Sequence, residues 1–225
     1  MFKTSRMDIY FNTIFQRFAT KPRQTVVNIP KISTITLLCT LSIKEVDFDT
    51  ILNCPKLTIR NTVKRGKSKY KSFSNSVTLV FDKTKTIKVF RNLTLHITGC
   101  KTIQHSHALV KKFIDCMEWS DVNIVTTSIL TLNAVLSFKE KTYISLQNIV
   151  KYIEKDDHIR VRYDPDTYQG LVIKALCPFT KRYISLLCFY TGSFIISGVK
   201  TPLEMWFGLE FIDNMLKIMM DTIIM

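Results

Sequence analysis

The stretch Phe90-Arg-Asn-Leu-Thr-Leu-His-Ile-Thr-Gly-Cys-Lys-Thr102 returns later in the chain as Phe189-Tyr-Thr-Gly-Ser-Phe-Ile-Ile-Ser-Gly-Val-Lys-Thr201. Each copy runs from an aromatic through a turn into an alternating apolar strand ending in Thr/Ser-Gly, followed by Lys-Thr and an amphipathic segment. Phe90 and Phe189, Leu95 and Phe194, Ile97 and Ile196, Gly99 and Gly198, and Lys101 and Lys200 are all 99 residues apart; after one deletion Phe113-Ile-Asp115 answers Phe211-Ile-Asp213. A unit this long, present twice, predicts two similar half-domains packed as a pseudo-dimer, because a solenoid needs three or more short units.

Working outward, each copy closes a longer series. Ile32 to Ile43 alternates β-branched and apolar residues, as a long strand with one buried face does. A short helix follows from Asp47, its cap, to Asn53. Strands are expected at 56–59, 76–81, 86–90 and 93–98, then a helix over 102–118. The second half repeats the order: a long strand over 122–138, a helix over 145–155, strands at 159–163, 171–176, 183–190 and 193–197, and a closing helix over 201–220. Pro202 falls in the first turn of that helix, where its missing N–H costs nothing. The helix's apolar face is broader than packing on one sheet requires, which marks part of it as a contact surface.

The domain reading is therefore an N-terminal extension (1–30), a first repeat (31–120) and a second repeat (121–225). Within the extension, Asp8 to Phe18 has weak helical periodicity and Thr20 to Gln24 reads as a linker. The predicted fold is α+β, with one curved antiparallel sheet of about ten strands, helices on its convex face and the concave face left open.

The chain carries 32 Lys and Arg against 18 Asp and Glu, a net charge of +14. That excess points to an anionic partner, most economically a nucleic-acid backbone, against the alternative of a generally basic solvated surface. Lys64 to Lys71 packs five cations around a glycine and reads as a solvated loop or a phosphate clamp. Six cysteines without a Cys-x-x-Cys pair read as reduced residues of an intracellular protein, and His105 and His107 lack a third ligand, so no metal and no cofactor are expected. The sequence shows no apolar run of membrane-spanning length and no signal-peptide pattern. The expected location is cytosolic or nuclear, not secreted. A nucleophile with its base, a carboxylate cluster and a phosphate-cradling Gly loop are all missing from the pattern, so no enzyme is predicted.

The tandem repeat, the strand ending Thr/Ser-Gly-x-Lys, and Tyr163-Asp-Pro-Asp-Thr-Tyr-Gln-Gly-Leu171 followed by Pro178 resemble the TATA-binding-protein family over residues ~30 to 222. The resemblance implies a saddle that binds and bends double-stranded A·T-rich promoter DNA through the minor groove, wedging aromatic rings between base steps. Phe73 and Phe90 lie 17 apart and Phe90 lies 9 before Gly99, the spacings of the family's wedges. Phe189 keeps its distance to Gly198, while Tyr168 takes the other wedge position across a meander four residues longer. The groove-floor positions carry over as His96, Thr98, Ile195 and Ser197. Thr98 and Ser197 are small and suit the A·T minor groove, whereas His96 departs from the family pattern.

Lys174 occupies a phosphate-contacting position of the family, as do Lys101 and Lys200, with Leu79 as the first-repeat counterpart of Lys174. The family's paired asparagines of the long strands fall nearest to Asn28 and Asn133, each out of register. Asp164, Asp166 and Thr167 resemble the stirrup that docks transcription factor IIB; a solvated Asp-Pro turn is the alternative. RNA polymerase is the further partner implied. The Ser/Thr/Lys/Ile-rich character suggests the version carried by a large DNA virus, acting in a cytoplasmic virus factory or virion.

Two other classes compete. A saddle that has lost DNA binding would serve as a protein-interaction scaffold, whereas a DNA glycosylase built on the same half-barrel would need a further helical domain, and none is expected after Lys217.

Overall fold

A computed structural model describes residues 6–21, 27–43, 46–60, 76–153 and 157–223, with side chains as far as residue 217. The basic run from Lys64 to Lys71, and Phe73, lie outside the described residues. An N-terminal helix α1 (Arg6–Ala19) precedes the first repeat: β1 (Lys31–Leu41), α2 (Phe48–Leu52), β2 (Thr58–Ile59), β3 (Ser76–Val80), β4 (Thr86–Phe90), β5 (Thr94–Cys100) and α3 (Ile103–Cys116). The second repeat gives β6 (Ile124–Ser137), α4 (Leu146–Ile153), β7 (Ile159–Asp164), β8 (Tyr168–Cys177), β9 (Arg182–Phe189), β10 (Ser193–Val199) and α5 (Pro202–Ile223). The order strand, helix, four strands, helix thus occurs twice. All ten strands belong to one antiparallel sheet in the order β2-β3-β4-β5-β1-β6-β10-β9-β8-β7.

Contacts divide the chain into two compact units, one built on Thr34–Leu130, the other on Thr131–Met225 with the segment carrying α1. In the first, Ile35, Leu37 and Cys39 of β1, Ile87 and Val89 of β4, and Leu95 and Ile97 of β5 are wholly buried, each alternating with half-exposed neighbours. Burying a side chain of this size contributes about 1.5–3 kcal/mol. A slip of one residue would turn all of them to the other face, so the pattern fixes the register. Helix α3 covers β5 with Leu109, Val110 and Phe113, and Thr102 caps it by accepting from His105 N–H at 3.0 Å.

In the second unit Leu132, Ala134, Phe194, Ile196, Ile184, Leu186, Leu171 and Ile173 form the same buried layer. Helix α5 closes on it at Gly208, where a Cβ would lie 2.9 Å from Ile196 Cγ2 and 3.0 Å from Ile184 Cδ1. Its N-terminus is a capping box. Glu204 N–H donates to Thr201 Oγ1 at 3.2 Å, and buried Glu204 Oε2 accepts from Thr201 N–H at 3.3 Å and Lys200 N–H at 2.7 Å. Glu204 Oε1 accepts from Arg182 at 2.9 Å.

The breadth of the α5 apolar face has an internal cause. Helix α1 packs against α5 and buries Phe11, Phe15 and Phe18. Lys21 then donates to Glu210 and to Asp213, and its ammonium lies 5.2 Å from the Trp206 ring centroid. Burial alone would lower the Lys21 pKa, but the two carboxylates outweigh it and raise it. The expected contact surface is thus occupied in part by the chain's own extension; Leu203 remains exposed.

The Thr/Ser-Gly motif marks a bulge in both repeats. Leu37 pairs with Ile97 but Ile35 with Cys100, and Ala134 pairs with Ile196 but Leu132 with Val199, a one-residue slip each time. Gly99 and Gly198 take φ of +84° and +81°, open to glycine at little cost. At Gly99 a Cβ would also fall 2.0 Å from the Thr84 carbonyl oxygen, so no other residue fits.

Candidate nucleic-acid interface

In each unit one sheet face is packed under helices and the other stays half-exposed, and the described strand residues among those predicted, Phe90, His96, Thr98, Tyr168, Lys174, Phe189, Ile195 and Ser197, fall on the half-exposed face. In the second unit Ile195 and Ser197 of β10 stand beside Leu187 and Ser185 of β9, which pair in turn with Val172 and Lys174 of β8. Strand β8 begins at Tyr168, three residues earlier than predicted, so this ring stands on a strand rather than in the turn. The Tyr168 and Phe189 rings meet edge to face, with centroids 6.2 Å apart at 70°. Gly170 pairs directly with Phe189 and leaves room for both: a Cβ there would lie 2.6 Å from Tyr168 Cε1 and 3.0 Å from Phe189 Cε1.

The first unit presents Phe90, His96 and Thr98. Phe90 is held between His96, with ring centroids 4.6 Å apart, and Lys88, whose ammonium lies 5.1 Å from the Phe90 centroid. Burial first, and the Lys88 charge second, lower the His96 pKa from its ordinary value, so the imidazole is neutral at pH 7. The Thr98 hydroxyl is 2.7 Å from that of Thr86 on the adjacent strand. The half-exposed face of the first unit thus carries a small hydroxyl, Thr98, and an uncharged imidazole, His96, and that of the second a small hydroxyl, Ser197, and an aliphatic side chain, Ile195.

Ladder pairing corrects one sequence correspondence. Lys174, Ser185 and Ser197 lie in one cross-strand row, and the equivalent row of the first unit is Val80, Thr86 and Thr98. Val80, not Leu79, is the counterpart of Lys174; Leu79 is fully buried on the opposite face. Counting residues without the sheet register produced the one-place error. Lys101 and Lys200 are exposed just past the ends of β5 and β10.

Asparagines resolve in the same way. Once the bulges are counted, Asn133 of β6 stands on the half-exposed face beside Ser197, whose hydroxyl donates to Asn133 Oδ1 at 2.8 Å. The same count gives Thr36 as the first-unit equivalent. Asn28 instead lies beside the far end of β6, where its amide donates to Ser137 Oγ at 3.2 Å. Asn133, which a count along the sequence left out of register, and Gly170, which it left unassigned, thus stand among the candidate residues of this face.

In the acidic turn, Asp164 accepts from the Thr167 hydroxyl at 2.8 Å and Asp166 is exposed. All six cysteines are unpaired, and burial pushes the Cys188 thiol up to about 12. Among the described residues no group of three or more His, Cys, Asp or Glu could hold a metal ion, and no helix is long and apolar enough to cross a membrane.

The family model described as transcription factor TFIID, or TATA-binding protein, matches residues 128–219, which hold the second repeat's sheet and most of α5. That match lies in the second repeat, and there the chain is similar to the TATA-binding-protein family. The TATA-box-binding protein of Methanobrevibacter smithii is 28% identical over 123 residues, which cover 54% of this chain and 63% of that protein. The solved TATA-binding protein of Methanococcus jannaschii superposes with a TM-score of 0.63 at 15% identity, covering 84% of this chain and 98% of that one. The fold is thus the TATA-binding-protein fold.

Proposed function

We propose that the protein is a transcription-initiation factor that binds and bends A·T-rich promoter DNA from the minor groove and recruits a factor-IIB-like protein and RNA polymerase. The observation that carries the reading is the Tyr168–Phe189 ring pair, set over Gly170 on the half-exposed face beside the small floor residues. A rigid ring entering an opened base step replaces part of the stacking lost there and orders few rotors in doing so. Tyr168 and Phe189 form one wedge pair, with Phe73 and Phe90 as the other. Ile195, Ser197, Thr98 and His96 face the groove floor, where A·T pairs present acceptors and no projecting amino group. Lys174, Lys101 and Lys200 contact phosphates. The exposed Asp166 carboxylate, with Asp164 and Thr167 framing its turn, meets basic side chains of the factor-IIB-like partner. The composition supports a source in a large DNA virus.

Energy transfer across an end-labelled A·T-rich duplex tests this. Wild type brings the duplex ends together, and Tyr168→Ala/Phe189→Ala and Phe73→Ala/Phe90→Ala each lose most of that signal. If wild type leaves the ends apart at every salt concentration, with and without a factor-IIB-like protein, the platform reading is wrong and a scaffold remains.

A further inference from the structure

We propose that Arg160, Arg162 and Lys174 form a cradle for backbone phosphates of duplex DNA at the outer edge of the second unit, next to the wedge pair. Both arginines lie on β7, where exposed Arg160 and Arg162 alternate with half-buried Ile159, Val161 and Tyr163. The β7–β8 ladder sets Arg160 directly opposite Lys174 and Arg162 opposite Val172, so the three cations share one face. With Tyr168 and Asp164 they line an open cavity of about 430 Å³.

Three features give this cluster a ligand. Like charges directly opposed across an antiparallel pair weaken the ladder, so Arg160 facing Lys174 is unfavourable until an anion lies between them. Among the described residues no carboxylate forms an ion pair with any of the three, and Asp164, the acid in the cavity, already accepts from Thr167. The Arg160 guanidinium also lies 4.6 Å from the Tyr183 ring centroid, a cation–π contact that restrains its planar fork beside Lys174, where it can meet phosphate oxygens. Tyr168 is a wall of this cavity and also the partner of Phe189, so a strand whose bases open at the wedge runs its backbone into the cations. That continuity selects a nucleic-acid phosphate over an acidic peptide. The inference rests on the DNA-bending reading above and adds two contacts that it does not include.

The test compares full-length wild type with Arg160→Gln/Arg162→Gln by fluorescence anisotropy on an A·T-rich duplex from ~50 to ~300 mM KCl. It adds end-to-end energy transfer at saturation and a thermal melt to confirm folding. Each phosphate neutralised contributes about 0.9 to the slope of log K against log salt. The double variant is expected to bind more weakly, with a slope shallower by about 2, yet to bend DNA at saturation, and Arg160→Lys/Arg162→Lys restores the slope. A Gln variant that bends DNA with the wild-type slope overturns the cradle and leaves the bending platform standing. Loss of affinity for polyglutamate with DNA binding unchanged overturns it in favour of an acidic protein partner. A wild type without salt-dependent DNA affinity overturns both readings.

Discussion

The Ser197 hydroxyl donates to Asn133 Oδ1 at 2.8 Å, and this bond decides which end of the amide remains available. With its oxygen engaged, Asn133 has its NH₂ left to donate on the half-exposed face, and the A·T minor groove offers only acceptors, adenine N3 and thymine O2. The first unit has Thr36 at the equivalent place, so the amide donor is present in one repeat. Asn133→Ala is expected to weaken binding to an A·T-rich duplex about tenfold, the worth of one base-edge contact. Asn133→Asp, which replaces donors with a negative acceptor, should weaken it further. Competition binding against a panel of duplexes substituted one base pair at a time checks this: the A·T preference should relax at steps in one half of the site and hold in the other.

Glu204 carries the largest stability prediction. Its wholly buried carboxylate serves two backbone N–H groups at the start of α5 and the Arg182 guanidinium. Because the Arg182 side chain is 40% exposed, most of the loss on truncation comes from the two stranded N–H groups rather than from the ion pair. Glu204→Ala is expected to cost about 2–4 kcal/mol, or roughly 5–10 °C in Tm for a chain of this size. Glu204→Gln retains an acceptor and should cost less than half as much. Calorimetry separates the two; equal and small losses would show that the capping box contributes little.

How much of this was legible beforehand depends on what each feature is made of. Strand faces were readable because a two-residue alternation with one buried side leaves a single register, as in Leu95, Ile97 and their partners. The Thr/Ser-Gly motif was readable as a repeat mark, but its cause is a bulge, and a bulge changes the count across strands rather than along them. For that reason Asn133 falls out of register in a count along the chain, whereas Val80 emerges as the counterpart of Lys174 only from the β3–β4–β5 ladder pairing, which no count along the chain supplies. The start of β8 at Tyr168 rather than Leu171 was not readable, because the Gly170–Phe189 pairing that extends the strand joins residues distant in the chain. The docking of α1 on α5 was invisible for another reason: an amphipathic helix declares an apolar face but not the surface that will cover it.

If the half-exposed face binds DNA as proposed, His96 is expected to make the affinity depend on pH. It stands on β5 between Lys88 of β4 and Leu38 of β1, with Phe90 against its ring, so the charge facing it is positive. Its folded pKa lies below the ordinary 6.5. The neutral form therefore stabilises the fold above pH 6.5, and that contribution is lost as pH falls through the folded value. Duplex phosphates brought near this face would reverse the local field and favour the imidazolium, so binding is expected to take up a proton. Affinity is expected to rise as pH falls from ~7.5 to ~5.5, by at most about tenfold per unit for one proton. Anisotropy titrations of wild type and His96→Gln read the difference, and parallel pH profiles for the two proteins would show that His96 takes no part.

Gly170 provides a test of wedge geometry that leaves the aromatic residues in place. A Cβ at this position would lie 2.6 Å from Tyr168 Cε1 and 3.0 Å from Phe189 Cε1, inside any normal contact distance. Both obstructing atoms belong to rings on the half-exposed face, Tyr168 being 44% exposed, so the rings can swing aside without opening the core. Gly170→Ala should accordingly melt within a few degrees of wild type while its Tyr168–Phe189 pair is splayed. If the rings act as a preset pair, this variant binds DNA in a salt-dependent manner but bends it much less, since contacts that order the duplex backbone do not need the rings and step opening does. Tyr168→Phe pushes the other way: it removes a hydroxyl that must keep a water or phosphate partner on insertion, so it should bend DNA at least as well as wild type and bind a few-fold tighter. End-to-end energy transfer at saturating protein measures both. Full bending by Gly170→Ala would mean that the rings need no preset geometry, and that the work of opening the step is carried by the remainder of the face.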